Sequence, residues 1–144
     1  MKMNLIIKKF DELTPTEVYE ILKARTEIFV VEQNCVYQDM DGKDYESTHI
    51  FCEQDGQVIG YLRFFQRDLS SVQIGRVLTL KHGNGLGRKL MEAAVETIKK
   101  TPAKKVYLES QTYATGFYAK FGFKVTSGEF PVDGLPHVAM ELQL

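Results

Sequence analysis

Two short apolar runs, Ile50–Glu53 and Val58–Phe65, are separated only by Gln54-Asp55-Gly56-Gln57. Asp-Gly between such runs is the signature of a two-residue hairpin turn, because both central positions need positive φ. An antiparallel pair early in the chain rules out an all-parallel doubly wound sheet. Downstream, Val72–Leu80 reads as a strand, Lys81–Gly85 as a glycine-rich turn, and Leu86, Leu90, Met91, Ala94, Val95 and Ile98 as one face of a helix ending at Lys99-Lys100. Such a strand-turn-helix unit brings the next strand, Val106–Gln111, back beside the sheet. The expectation is an α/β (α+β) fold with a central mixed, mostly antiparallel sheet flanked by helices.

The remaining segments fit that frame. Met3–Phe10 alternates like an opening strand. Thr14-Pro15-Thr16-Glu17 supplies an N-cap, a proline at the first helical position and a capping-box glutamate. The helix it starts carries Val18, Ile21, Leu22, Arg25, Ile28 and Phe29 on helical spacing and weakens at Val30-Val31. Glu32–Thr48 is polar and turn-rich, long enough to be a functional loop bordering a substrate. Ala114–Phe121 is expected as a short helix closed by Gly122, Phe123–Thr126 and His137–Leu142 as the last strands, and Gly128–Pro136 as a loop. With no repeat or low-complexity linker, residues 1–144 are expected to form one domain.

Composition narrows the function classes. Eighteen Lys and Arg against 19 Asp and Glu give a net charge of −1, so no global field holds a polyanion. Nucleic acid and membrane are not expected partners, and the chain is expected in the cytoplasm. Cys35 and Cys52 read as reduced thiols without metal-ligand spacing. Asp39-Met40-Asp41-Gly42-Lys43-Asp44 places its glycine two positions too early for a calcium loop, so no metal is expected. The segment reads as a turn and an acidic lip for cationic amines.

Lys81-His82-Gly83-Asn84-Gly85-Leu86-Gly87-Arg88 stands between strand and helix, where backbone N–H groups and the helix dipole make an anion site. The P-loop pattern is absent, and a dinucleotide fingerprint needs its third glycine where Arg88 stands, which disfavours an oxidoreductase. Gly83-Asn84-Gly85-Leu86-Gly87 resembles the acetyl-CoA loop of the GNAT N-acetyltransferase superfamily, with His82 at a position usually held by Gln or Arg. Arg25–Gln33, Asn34-Cys35, Asp41–Asp44, Gly116–Phe123 and Asp133–His137 resemble the ElaA-like branch of that superfamily.

The resemblance implies acetyl-CoA as co-substrate. The strand backbone at Leu78, Thr79 and Leu80 and the turn residues His82, Gly83, Asn84, Gly85, Leu86, Gly87 and Arg88 would bind it. It implies Tyr118 as the acid that meets the departing thiolate, turned away from Phe117 and Phe121 on its helix. The acceptor would be a primary amine of a small molecule or peptide, and a homodimer is allowed for. The base is open among Glu32, Glu109, His49 and His137, with Glu109 favoured by its place off the apolar face of its strand. A non-catalytic acyl-CoA sensor is the alternative.

Overall fold

The computed structural model describes residues 3–144; Met1 and Lys2, part of the expected 1–144 domain, lie outside them. Eight strands form one sheet: β1 (Asn4–Lys9), β2 (Thr48–Gln54), β3 (Gln57–Gln66), β4 (Ser71–Thr79), β5 (Lys105–Gln111), β6 (Lys124–Val125), β7 (Phe130–Val132) and β8 (Leu135–Gln143). The order is β1-β2-β3-β4-β5-β8-β6, with β7 also on β8. Every pairing is antiparallel except β4 with β5, where α2 (Leu86–Lys99) makes the crossover. None of the described helices is long and apolar enough to cross a membrane.

The β2–β3 turn adopts left-handed φ at Asp55 (53°) and Gly56 (76°), as Asp-Gly demands. Helix α1 (Pro15–Arg25) starts on its capping box: Glu17 N–H donates to Thr14 Oγ1 at 3.1 Å, and Thr14 N–H to Glu17 Oε1 at 2.8 Å. The expected continuation to Phe29 takes a different form, a π-helical stretch over Thr26–Glu32. There the Thr26 hydroxyl bonds the Leu22 carbonyl at 2.8 Å, competing with the α-helical ladder, and β-branched residues follow.

One face of the sheet is covered by α2, whose Leu86, Leu90, Met91, Ala94 and Ile98 are at most 1% exposed against Ile50, Leu62, Ile74, Val106, Leu108 and Met140. At about 1.5–3 kcal/mol per large apolar side chain, this is the main stabilising layer. The approach is close: a Cβ on Gly60 would come within 2.9 Å of Leu86 Cδ2. The other face packs Phe51, Tyr61 and Leu78 against Ile21 and Ala24 of α1, with Ile28 and Phe29 of the π-helix beside them.

Two expectations need correction. The short helix α3 covers only Thr115–Ala119, preceded by a 3-10 turn at Thr112–Ala114. Gly128–Pro136 is not all loop: β7 lies within it, joined to β8 through Asp133 and Gly134, both left-handed (φ 49° and 79°). The Asp-Gly signal was present, but three residues with a central proline do not read as a strand.

Candidate active site

The site begins where β4 and β5 part. Their ladder runs from Ser71/Lys105 to Ile74/Leu108 and stops, although β4 continues to Thr79 and β5 to Gln111. The cause lies on the other edge of β4. Arg63 pairs with Gly75 and Tyr61 with Leu78, so Arg76 and Val77 together face the single Leu62. This bulge turns β4 away from β5. Arg76 takes φ 55° there, a left-handed conformation that costs an ordinary residue about 1 kcal/mol or more. Its side chain is held in return: Nε donates to Asp39 Oδ1 at 2.8 Å and an Nη2 hydrogen to the Asp39 carbonyl at 2.9 Å.

The unpaired end of β4 offers hydrogen-bond donors to the gap. Leu80 N–H donates to the Ile59 carbonyl at 2.8 Å, and by the alternation of the antiparallel ladder Leu78 N–H is also turned to β3. Thr79 N–H is therefore the one turned towards β5. Leu78 and Leu80, expected from the sequence to line the co-substrate site as well, have their N–H groups turned to β3.

The glycine turn sits at the end of β4. Gly83 (φ 80°) and Gly85 (φ 73°) are left-handed, and Gly85 is the N-cap of α2. Leu86 N–H is taken by Asn84 Oδ1 at 3.1 Å and its side chain is buried in the core, so Leu86 anchors the turn. The N–H groups of Gly83, Asn84, Gly85, Gly87 and Arg88 have no partner among the described residues, and Lys81, Arg88 and Lys89 stand exposed around them. Free N–H groups, the positive end of a fourteen-residue helix and three cations are the donor set a pyrophosphate requires. Gly87 has a second role: a Cβ there would meet Phe117 Cζ at 3.2 Å and Thr79 Cγ2 at 3.8 Å, so its absence lets α3 and β4 close on the turn. His82 is exposed and makes no bond among the described residues.

Tyr118 follows Phe117 on α3. It is not turned away from the aromatic set. Its ring meets Phe117 edge-on at 5.1 Å and Phe123 at 6.3 Å, and it packs with Phe121 on the α2 side of the sheet. Its hydroxyl has no hydrogen bond among the described residues. Burial, with a smaller contribution from Tyr113, holds that hydroxyl well above the ordinary phenol range. It therefore stays protonated at neutral pH.

On the other face, the stretch expected as an acidic lip is used up internally. Arg25, with 0% exposure, donates from Nε to Asp39 Oδ2 at 2.8 Å and from Nη1 to Asp44 Oδ1 at 2.6 Å. Arg63 takes Asp41 Oδ2 at 2.6 Å and Asp44 Oδ1 at 2.9 Å. Burial raises the Asp41 and Asp44 carboxyls, but the arginine hydrogen bonds and charges outweigh it and hold both below the usual carboxylate range. Tyr37, bonded to Asp39 Oδ1 at 3.1 Å, is pushed up to about 12, by burial first and by Asp39 against the opposing Arg76 charge. A cavity of about 370 Å³ lined by Phe10, Leu22, Met40, Tyr45 and His49 opens beside this network; it includes no residue of the glycine turn or of the gap.

The four candidate bases separate. His49 is 1% exposed with both nitrogens engaged: Nε2–H donates to the Asp44 carbonyl at 2.9 Å, which leaves Nδ1 to accept from Tyr61 Oη at 2.6 Å. That removes it. Glu32 ends the π-helix, exposed and without a bond among the described residues. Glu109 lies on β5, which borders the gap, and His137 on β8, its neighbour on the far side.

Residues 11–144 match the family model described as an acetyltransferase (GNAT) domain. The chain belongs to the GNAT acetyltransferase family. A UPF0039 protein of Schizosaccharomyces pombe is 38% identical over 99% of this chain and 98% of its own length. The crystal structure of Escherichia coli ElaA is similar with a TM-score of 0.90 at 35% identity, covering 97% of this chain and 99% of that one. An acyl-CoA N-acyltransferase from Pseudomonas aeruginosa gives 0.89 at 36% identity, over 96% and 98%.

In this GNAT domain, sequence reasoning located the glycine turn and the aromatic helix but missed the Arg25–Asp39–Arg76 clasp. In the sequence Arg25 reads as a member of the helical stripe and as the first residue of the Arg25–Gln33 block, and neither reading gives it a partner. A charged residue on an apolar stripe is the available signal that buried acids must answer it.

Proposed function

We propose that the protein transfers an acetyl group from acetyl-CoA to a primary amine of a small molecule or peptide by direct attack on the thioester. The observation that carries this reading is the gap between β4 and β5, which ends at a glycine turn with five unbonded N–H groups. The turn suits the pyrophosphate, and the gap suits an extended acyl-pantetheine arm, with Thr79 N–H facing the carbonyl oxygen that gains charge during attack.

Chemistry needs a proton removed at one end and supplied at the other. An alkyl ammonium with pKa ~10.4 is neutral in only about one molecule in a few thousand at pH 7. On the leaving side, a thiolate whose conjugate acid titrates near ~8.5 departs. The Tyr118 hydroxyl, held protonated by burial, donates a hydrogen bond to that sulfur. Because it is a weaker acid than the thiol, it stabilises the developing charge more than it loses its own proton.

Tyr118→Phe is therefore expected to lower single-turnover acetyl transfer about 10²-fold, within the usual span for losing one hydrogen-bond donor to developing charge, with acetyl-CoA affinity unchanged because the ring is retained. Equal single-turnover rates for the two proteins would remove Tyr118 from the mechanism.

A further inference from the structure

Beyond the point where β5 leaves β4, its residues Glu109 and Gln111 alternate onto the sheet face away from α2. In the β5–β8 ladder Gln111 stands opposite His137 and Glu109 opposite Ala139, so Glu109 and His137 are diagonal neighbours on that face, within reach of one substituent. The loop that carries Asp39 belongs to the same side: Cys35 Sγ meets the Asp133 carbonyl at 3.4 Å, joining it to the β7–β8 turn.

The two side chains are prepared differently. Glu109 is exposed, and its Oε2 accepts from Tyr107 Oη at 2.9 Å, which fixes the carboxylate and leaves Oε1 free of partners among the described residues. His137 is only 9% exposed, and its Nδ1 lies 2.8 Å from the Leu135 carbonyl. A carbonyl only accepts, so a hydrogen is on Nδ1, and in the neutral ring Nε2 then carries the lone pair. Nε2 is unbonded among the described residues, yet is not one of the buried side-chain atoms without a partner, so solvent reaches it. A buried imidazole with one nitrogen pinned and the other presented to water is arranged to take a proton.

We propose that Glu109 and His137 form the acceptor half of the site, Glu109 holding a primary ammonium group and His137 Nε2 taking its proton. The assignment rests on the acetyl-transfer reading. A carboxylate alone works against deprotonation, because a neighbouring negative charge favours the ammonium form. A neutral imidazole does not oppose it, and the imidazolium formed is then stabilised by Glu109. In the step, an N–H bond of the ammonium breaks, its electron pair becomes the amine lone pair, and an Nε2–H bond forms. The neutral amine adds to the thioester carbonyl, and the C–S bond breaks. A second N–H proton ends on the CoA sulfur and the imidazolium proton passes to water. Ammonium and acetyl-CoA thus give amide, CoA thiol and one proton.

The test uses His137→Asn and Glu109→Gln in the full chain, with whichever of cadaverine, Nα-acetyl-lysine and glucosamine the wild type acetylates fastest. Asparagine keeps a donor near the Leu135 carbonyl and deletes the lone pair of Nε2. His137→Asn should lower kcat by about 10²-fold with CoA affinity and Tm retained. Glu109→Gln should raise the amine KM about tenfold with a smaller effect on kcat. A His137→Asn enzyme within about threefold of wild-type kcat, or one that loses CoA affinity in parallel with turnover, would overturn the base assignment. An unchanged amine KM in Glu109→Gln would overturn the ammonium site. No acetylation of any of these amines by the wild type would overturn the acetyl-transfer reading, and this assignment with it.

Discussion

Gly85→Asp is expected to weaken CoA binding by about 100-fold or more, some 2.7 kcal/mol, while the protein remains folded. Gly85 has φ 73°, and a Cβ built there would meet nothing within 4 Å, so the substitution brings backbone strain but no clash. That strain is about 1 kcal/mol, and aspartate tolerates the left-handed region better than most residues. Aspartate is also a favoured N-cap, which offsets part of the cost. Its carboxylate, however, would stand among the free N–H groups of Gly83, Asn84, Gly87 and Arg88, competing with phosphate and repelling it. Gly85→Asn, similar in shape and uncharged, separates charge from strain and should lose far less. Calorimetric titration with CoA reads both variants; an Asp variant that is folded and binds like wild type would remove the turn as the phosphate site.

Asp44→Ala should be the most destabilising single change on the α1 face. One oxygen, Asp44 Oδ1, accepts from Arg25 at 2.6 Å and from Arg63 at 2.9 Å, and both arginines are at most 3% exposed. Removing one partner of a buried ion pair leaves charge without an answer and costs about 3–5 kcal/mol, a large share of a typical total of ~5–15. The exposed Lys43–Glu46 pair at 3.5 Å is the internal comparison: Glu46→Ala should leave the urea midpoint unchanged within error. The same network contributes to the acid limit. Asp41 and Asp44 have folded pKa values below their unfolded ones, so their contribution is complete above the ordinary aspartate value near ~3.9 and is lost as pH falls below it. Stability followed by circular dichroism should decline steeply below pH about 4 in the wild type and less steeply in Asp44→Ala. Parallel acid profiles for the two proteins would contradict this account of the network.

What the sequence made legible follows from the range of the interactions involved. The Asp55-Gly56 hairpin, the Thr14–Glu17 capping box and the stripe of α2 are local, each set by residues within a few positions of one another. So is the glycine turn, because its function rests on backbone that side chains would obstruct. The π-helix was hidden because Ile28 and Phe29 still fall on a helical stripe, whatever the ladder beneath them. The gap was hidden for a different reason: it depends on a bulge at Arg76, and no residue type announces left-handed φ at an arginine. Its clasp spans 37 positions to Asp39, and the Arg63–Asp41 pair spans 22, distances over which periodicity carries no information. Glu109 and His137 were each visible as titratable residues. Their adjacency required the β5–β8 register, and the choice between His137 and His49 required knowing which ring nitrogen was already bonded.

The central claim is catalytic acetyl transfer rather than acyl-CoA binding alone. It is tested most directly by incubating the purified chain with acetyl-CoA and each of the three amines, following thiol release and identifying the acetylated amine by mass. The account predicts thiol release dependent on at least one amine, matched mole for mole by its N-acetyl product and lost in Gly85→Asp. Saturable CoA binding with thiol release no faster than in protein-free buffer, for every amine, would contradict it and leave a sensor in place of an enzyme.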